Sequence, residues 1–126
     1  MSAATNYLEQ KIRQHVLGIA SFTMPATVYV ALHTADPTEA GNVAECTGGG
    51  GYARQACAFT DGGSSASNTA TVRFNSIGAV TVTHYSIWDA VTAGNPLIYG
   101  ALASSQTLVA SQPLEFNAAA IVVSVD

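Results

Sequence analysis

Beyond Met24-Pro25 the chain is a succession of short segments in which apolar side chains recur at every second position, each closed by turn-forming residues. That rhythm fits strands and leaves little room for helices. TVYVALH (27–33) sets Val28, Val30 and Leu32 on one side and Tyr29, Ala31 and His33 on the other, and β-branched and aromatic residues suit a pleated surface. YARQACAF (52–59) alternates Ala53, Gln55, Cys57 and Phe59 against Tyr52, Arg54, Ala56 and Ala58. ATVRF (70–74), VTVTHYSIW (80–88), LIYGALA (97–103) and AIVVSVD (120–126) read as further strands, with a weaker one at Leu114 to Phe116. Asp61-Gly62-Gly63-Ser64-Ser65, Asn75-Ser76, Ala93-Gly94-Asn95-Pro96 and Gln112-Pro113 separate them. Strands at such spacing with no helical period between them predict an all-β domain, an antiparallel β-sandwich or jelly-roll-like body.

One segment breaks the pattern. NYLEQKIRQHVL (6–17) places Tyr7 or Leu8, Ile12, and Val16 with His15 on one helical face, with Glu9, Lys11 and Arg13 elsewhere. Asn6 followed by Glu9 reads as a capping box, and Gly18 supplies the stop. The expected organisation is a single domain over 1–126, with the helix in 1–18 appended to a body over 26–126. The helix either caps one end of the sandwich or serves as a docking arm. A long connection over 34–51, TADPTEAGNVAECTGGGG, exceeds a hairpin turn and is expected to make contacts outside the fold. Its four glycines precede a strand, and no Lys-Ser/Thr follows to open a helix, so a phosphate-binding loop is excluded and a hinge is expected.

Charge narrows the function. Charged residues are 10% of the 126, against about 25% in ordinary soluble domains; so weakly hydrated a surface suits burial against other subunits. The only cations are Lys11, Arg13, Arg54 and Arg73, which make no basic stripe for nucleic acid. No apolar run approaches the roughly 20 residues of a membrane span. The first residues lack a secretion signal's basic and apolar regions, so the expectation is a protein made in the cytoplasm. Cys46 and Cys57 lie outside any C-x-x-C spacing and are expected as reduced, partly buried thiols or as a disulfide pinning the glycine loop. The spacing of His15, His33 and His84 points to no metal site, and no cofactor is implied. His84 with Asp89 or Asp61 can be drawn as a base and its orienting acid, but no G-x-S-x-G elbow accompanies them, and a non-enzyme is expected. Arg54, beside Tyr52, is expected to pair with Asp89, Asp36 or a neighbouring subunit's carboxylate. Tyr29, Tyr52, Tyr85, Trp88 and Tyr99 either fill the core or form a patch for sugar or protein.

MSAATNYLEQKIRQHVL, PATVYVALHTADPTEAG, GGGGYARQACAF and VTHYSIWDAVTAGNPLIYGAL, in that order and spacing, resemble a group of small tailed-bacteriophage virion proteins often labelled tail-fibre-like. The resemblance covers nearly the whole chain, with the glycine-then-YARQ block the most specific. It implies a virion structural component with a β-sandwich body and no catalytic residues; sandwiches of this kind also serve as head decoration or cement proteins. Cys46 and Cys57 depart from the pattern, so a disulfide between them would be particular to this chain. The combined expectation is a non-enzymatic phage virion protein, a homo-oligomer such as a trimer, that contacts other virion proteins of the capsid or tail. Candidate contact residues are Tyr7, Ile12, Val16, Gly49, Gly50, Tyr52 and Arg54. The alternative is a receptor-binding module of a tail tip that grips host-surface glycan with exposed aromatics, Trp88 among them, and turn carboxylates.

Overall fold

The computed structural model describes residues 2–47, 51–75 and 77–125. Among the described residues one helix, α1 (Asn6–Val16), and ten strands follow in chain order: β1 (Ser2–Ala4) before the helix, then β2 (Val28–His33), β3 (Gln55–Cys57), β4 (Phe59–Asp61), β5 (Ala66–Asn68), β6 (Val72–Phe74), β7 (Thr81–Trp88), β8 (Pro96–Thr107), β9 (Leu114–Phe116) and β10 (Val122–Val123). They build a five-stranded sheet ordered β1-β8-β7-β2-β3, a three-stranded sheet β10-β5-β4 and a pair β6-β9. Every pairing is antiparallel. The domain is all-β with an N-terminal helix, as the alternation predicts.

The period of two in β2 and β7 decides where the core lies. Val30 stands opposite Ile87 and Leu32 opposite Tyr85, so these four share one face, and that face packs with Val72 and Phe74 of β6, Leu114 of β9 and Val123 of β10. The small sheets thus cover one side of the large one. Phe74 is fully buried, stacked on Tyr52 at 6.2 Å and meeting Phe116 edge-on at 6.3 Å. On the β6–β9 pair Arg73 stands opposite Glu115 and bonds it at 2.7 Å; both are exposed, and such a pair contributes only about 0.2–1 kcal/mol.

Part of the other face of the large sheet is buried too. Ala31, His33, Ser86 and Trp88 lie on it and all are buried. A polar histidine and serine shut from water need partners inside the chain, and the connection after β2 supplies them. Residues 34–47 do not leave the fold: the chain turns back so that Glu45 bridges His33, with hydrogen bonds from Thr34 N to Ala44 O at 3.0 Å and from Cys46 N to Leu32 O at 2.8 Å. Pro37 is fully buried beneath the excursion. Gly41, at φ +75°, lies so close that a Cβ there would come within 2.5 Å of Pro96 Cβ.

Several expectations change in detail. YARQACAF is two strands, not one: β3 belongs to the large sheet and β4 to the three-stranded sheet, and the chain crosses between them at Ala58, whose carbonyl accepts from Thr69 N. The crossing therefore lies seven residues beyond the last glycine, Gly51; the contact candidates Gly49 and Gly50 lie outside the described residues. The helix is no appendage, because β1 precedes it and pairs with β8 in the same sheet that holds β2. Its cap is Thr5, one residue before the expected Asn6: the Thr5 hydroxyl accepts from Leu8 N at 3.3 Å and donates to Pro96 O at 2.7 Å. The stop is as expected, with Gly18 at φ +72°. Cys46 and Cys57 are free buried thiols. They stand opposite Leu32 and Val28 on the same edge of β2, about 13 Å apart at ~3.3 Å per residue, beyond the ~7 Å that a disulfide spans.

Candidate functional site

Two places gather the residues singled out by sequence, and they differ in character. The first is a closed polar cluster on the buried second face. Tyr52 donates its hydroxyl to Glu45 Oε2 at 2.8 Å and accepts from Leu32 N at 3.1 Å, so it fills a position in the ladder where β3 has ended and the 44–46 segment has begun. Arg54 grips the same carboxylate with two nitrogens, Nε to Oε2 at 2.9 Å and Nη2 to Oε1 at 2.8 Å, and sends Nη1 to the carbonyls of Ala90 and Ala93. Its guanidinium lies 3.6 Å above the centre of the Trp88 ring. A planar cation held by a two-pronged carboxylate and an aromatic face is the arrangement for which arginine is suited.

Below it the chain of bonds continues inward. Trp88 Nε1 donates to Ser86 Oγ at 2.7 Å, and Ser86 Oγ lies 2.7 Å from His33 Nε2. His33 Nδ1 is 2.7 Å from Val43 O. A carbonyl can only accept, so Nδ1 carries the proton, Nε2 accepts, and Ser86 donates to it while taking the tryptophan's bond. The ring is neutral: burial, the largest influence, lowers its pKa, outweighing the Val43 bond and Glu45, which raise it. Burial would lift the Glu45 carboxyl, yet bonds from Arg54 and Tyr52 and the Arg54 charge bring it below its ordinary value. Burial pushes the Tyr52 hydroxyl strongly up and the Cys57 thiol to about 11, so both stay protonated at neutral pH.

This cluster is a latch. It fastens the 34–47 excursion, the 51–54 segment and the 89–95 turn to the sheet, and Ser86 and His33, though bonded as a nucleophile and base would be, are wholly buried. Arg54 finds its partner in Glu45 rather than in Asp36 or Asp89; Asp89 instead holds Asn95 through Oδ1 at 2.7 Å and Oδ2 at 3.0 Å. His84 bonds Thr83 Oγ1, and Asp61 accepts from Gly63 N, so the base-and-acid set drawn from sequence is not assembled. Among the described residues no group of three or more His, Cys, Asp and Glu is placed to hold a metal ion. Trp88, the aromatic expected to grip glycan, is buried under Arg54.

The second place is the outer side of α1. Leu8 alone of the helix is buried, against Ala4 of β1 and Leu97 of β8, with Tyr7 half-buried beside it and Lys11 Nζ 5.5 Å from the Tyr7 ring centre. Ile12 is 42% exposed, Val16 73%, Leu17 66% and Ile19 69%. Ala4, Glu9, Ile12, Arg13, Val16, Leu17 and Val125 line a groove of 460 Å³ between helix and C-terminal segment. The sequence candidates therefore divide: Ile12 and Val16 reach this groove, Tyr7 is half-buried elsewhere on the helix beside Lys11 and Phe22, and Tyr52 and Arg54 belong to the latch. Leu17, Ile19 and Val125 went unread, although Leu17 and Ile19 continue the apolar content past the helix end; Glu45 went unread because the loop around it has no period.

Residues 3–124 match the model of a protein family described as Podophage GP4 fiber I protein gp80. No curated protein matches the chain.

Proposed function

The chain belongs to this podophage fiber protein family, and from that premise we propose that it is a non-enzymatic component of the virion, seated on capsid or tail as a homo-oligomer through the outer side of α1. Membership makes it a phage structural protein of tail-fibre type, located in the virion among other phage proteins. One observation carries the finer reading: the bonded pair Ser86 and His33 is shut inside the latch, whereas Ile12 and Val16 of α1 and Leu17 and Ile19 after it face water. Contiguous exposed apolar side chains mark interaction sites in soluble proteins. The compact body suits a short fibre piece or a decoration protein, and copy number separates the two.

Mass spectrometry of washed particles, with the chain counted against the major capsid protein, tests this reading. Presence at a fixed ratio, restored when purified protein is added to particles that lack it, is the expected result. A chain found only in the soluble lysate, or one that turns over a small molecule, would overturn it.

A further inference from the structure

The 34–47 excursion is held to the body more by polar bonds than by packing. Between Thr34 and Glu45 only Pro37 and Gly41 are buried, and no residue of that stretch joins either apolar cluster. Its fastenings are Thr34 N to Ala44 O, Cys46 N to Leu32 O, Glu45 to Tyr52 and Arg54, and Val43 O to His33. The excursion is also strained. Thr38 and Ala44 hold φ of 61° and 60°, a left-handed backbone that costs any residue with a side chain and a β-branched one most. A segment with few buried apolar contacts opens ahead of the rest of its fold.

Among the groups that fasten it, Glu45 stays ionised to below its ordinary 4.5, and burial keeps the Tyr52 hydroxyl and the Cys46 thiol protonated. His33 is left to change charge just below neutral pH. Its surroundings are closed to that change. Nδ1 already donates to Val43 O, so a proton from solvent must go to Nε2, which accepts from Ser86 Oγ at 2.7 Å. Ser86 Oγ would then face two donors, the ring and Trp88 Nε1, and its own hydrogen would lose its acceptor. Among the described residues that hydroxyl has no further partner within bonding distance, and a buried donor left without an acceptor is costly. Burial opposes the charged ring most; the Val43 bond and Glu45 favour it, whereas His84, opposite on β7, and Arg54, on the 51–54 segment, oppose it.

The excursion also seats the helix. Glu39 O accepts from Asn6 N at 2.9 Å, and Gly41 lies against Thr5, which caps α1. We infer that the latch is an acid-released fastening: when His33 takes up a proton, the 34–47 excursion leaves the sheet and frees the start of α1, while β2, β7 and β8 stay paired. Once released, the charged ring is solvated and Thr38 and Ala44 relax from the left-handed region. This device goes beyond the virion reading and holds whatever the outer side of α1 meets.

Hydrogen exchange of the whole chain, followed by NMR at about pH 7.5 and 5.5 with each rate divided by that of the same amide in an unfolded chain, tests it. Protection of Thr34, Cys46 and Asn6 is expected to fall roughly tenfold at the lower value, about one unit below the ring's ordinary 6.5. These amides are also expected to exchange faster than those that pair β7 with β8, at a rate that about 1 M urea leaves unchanged, because a local opening exposes little surface. In His33→Gln the fall is expected to vanish, whether that variant keeps the excursion closed or leaves it open at both values. In His84→Gln it is expected to persist. Protection that does not change with pH, or excursion amides that share the sheet's protection and urea dependence, would overturn the inference. So would a fall that survives His33→Gln or is lost in His84→Gln.

Discussion

Arg54 commits all three guanidinium nitrogens within the chain, to Glu45, Ala90 and Ala93, and its side chain is only 9% exposed. Lysine cannot reproduce that fork, so Arg54→Lys leaves carbonyls and a carboxylate oxygen without donors and is expected to cost about 2–4 kcal/mol. Trp88 is the only tryptophan, so urea unfolding followed by its emission reads both the loss of stability and the uncovering of the ring. His33 gives a pH dependence of known sign. An unfolded chain takes up this proton at the ordinary value of 6.5, whereas the buried ring resists it to lower pH. The unfolded state therefore binds more protons below 6.5, and stability falls as pH drops below that value, by at most about 1.4 kcal/mol per pH unit from this group. Glu45, held low by Arg54 and Tyr52, adds a further loss only below its ordinary 4.5. Thermal midpoints measured between about pH 8 and 5 should fall through the first limb, and His33→Gln should flatten it. Sequence singled out Arg54 and Tyr52 because a cation is conspicuous in a cation-poor chain; it could not supply Glu45, nine residues away across the glycine run, because only the folded excursion brings the two together.

At the scale of elements, the excursion after β2 is held by one close approach. Gly41 has φ +75° and no room for a Cβ beside Pro96 and Thr5, so Gly41→Ala combines an unfavourable backbone with overpacking and is expected to cost about 2–4 kcal/mol. Because Thr5 caps α1 there, the same variant should loosen the helix start, read as faster amide exchange at Leu8 and Glu9. Strands with a full period were legible: β2, β7 and β9 lie where alternation put them. β1 and β5 were not, since Ser-Ala-Ala and Ala-Ser-Asn carry no apolar rhythm and become strands only by pairing with β8 and with β4 and β10. The order of these short pieces also hid Asn68. Its amide bonds Ala70 O, Asn117 O and Ile121 N and so ties the turn before β10 onto β5, a role set by residues some fifty positions away.

The whole molecule divides its labour between a buried polar latch and an exposed apolar helix end. Poverty of charge pointed to assembly, but sequence alone assigned Ile12, Val16, Tyr52 and Arg54 to one contact list. The fold separates them, because the side of β2 and β7 that carries His33, Ser86 and Trp88 is closed by the latch around Arg54 and Tyr52, whereas Ile12 and Val16 of α1 stay in water. A direct measurement is the binding of purified protein to particles that lack it, comparing wild type with Val16→Asp/Leu17→Asp. Both positions are mostly in water, so the variant should unfold at the wild-type midpoint. It is expected to lose particle binding. Undiminished binding by this folded variant would contradict the claim that the outer side of α1 carries the protein's work.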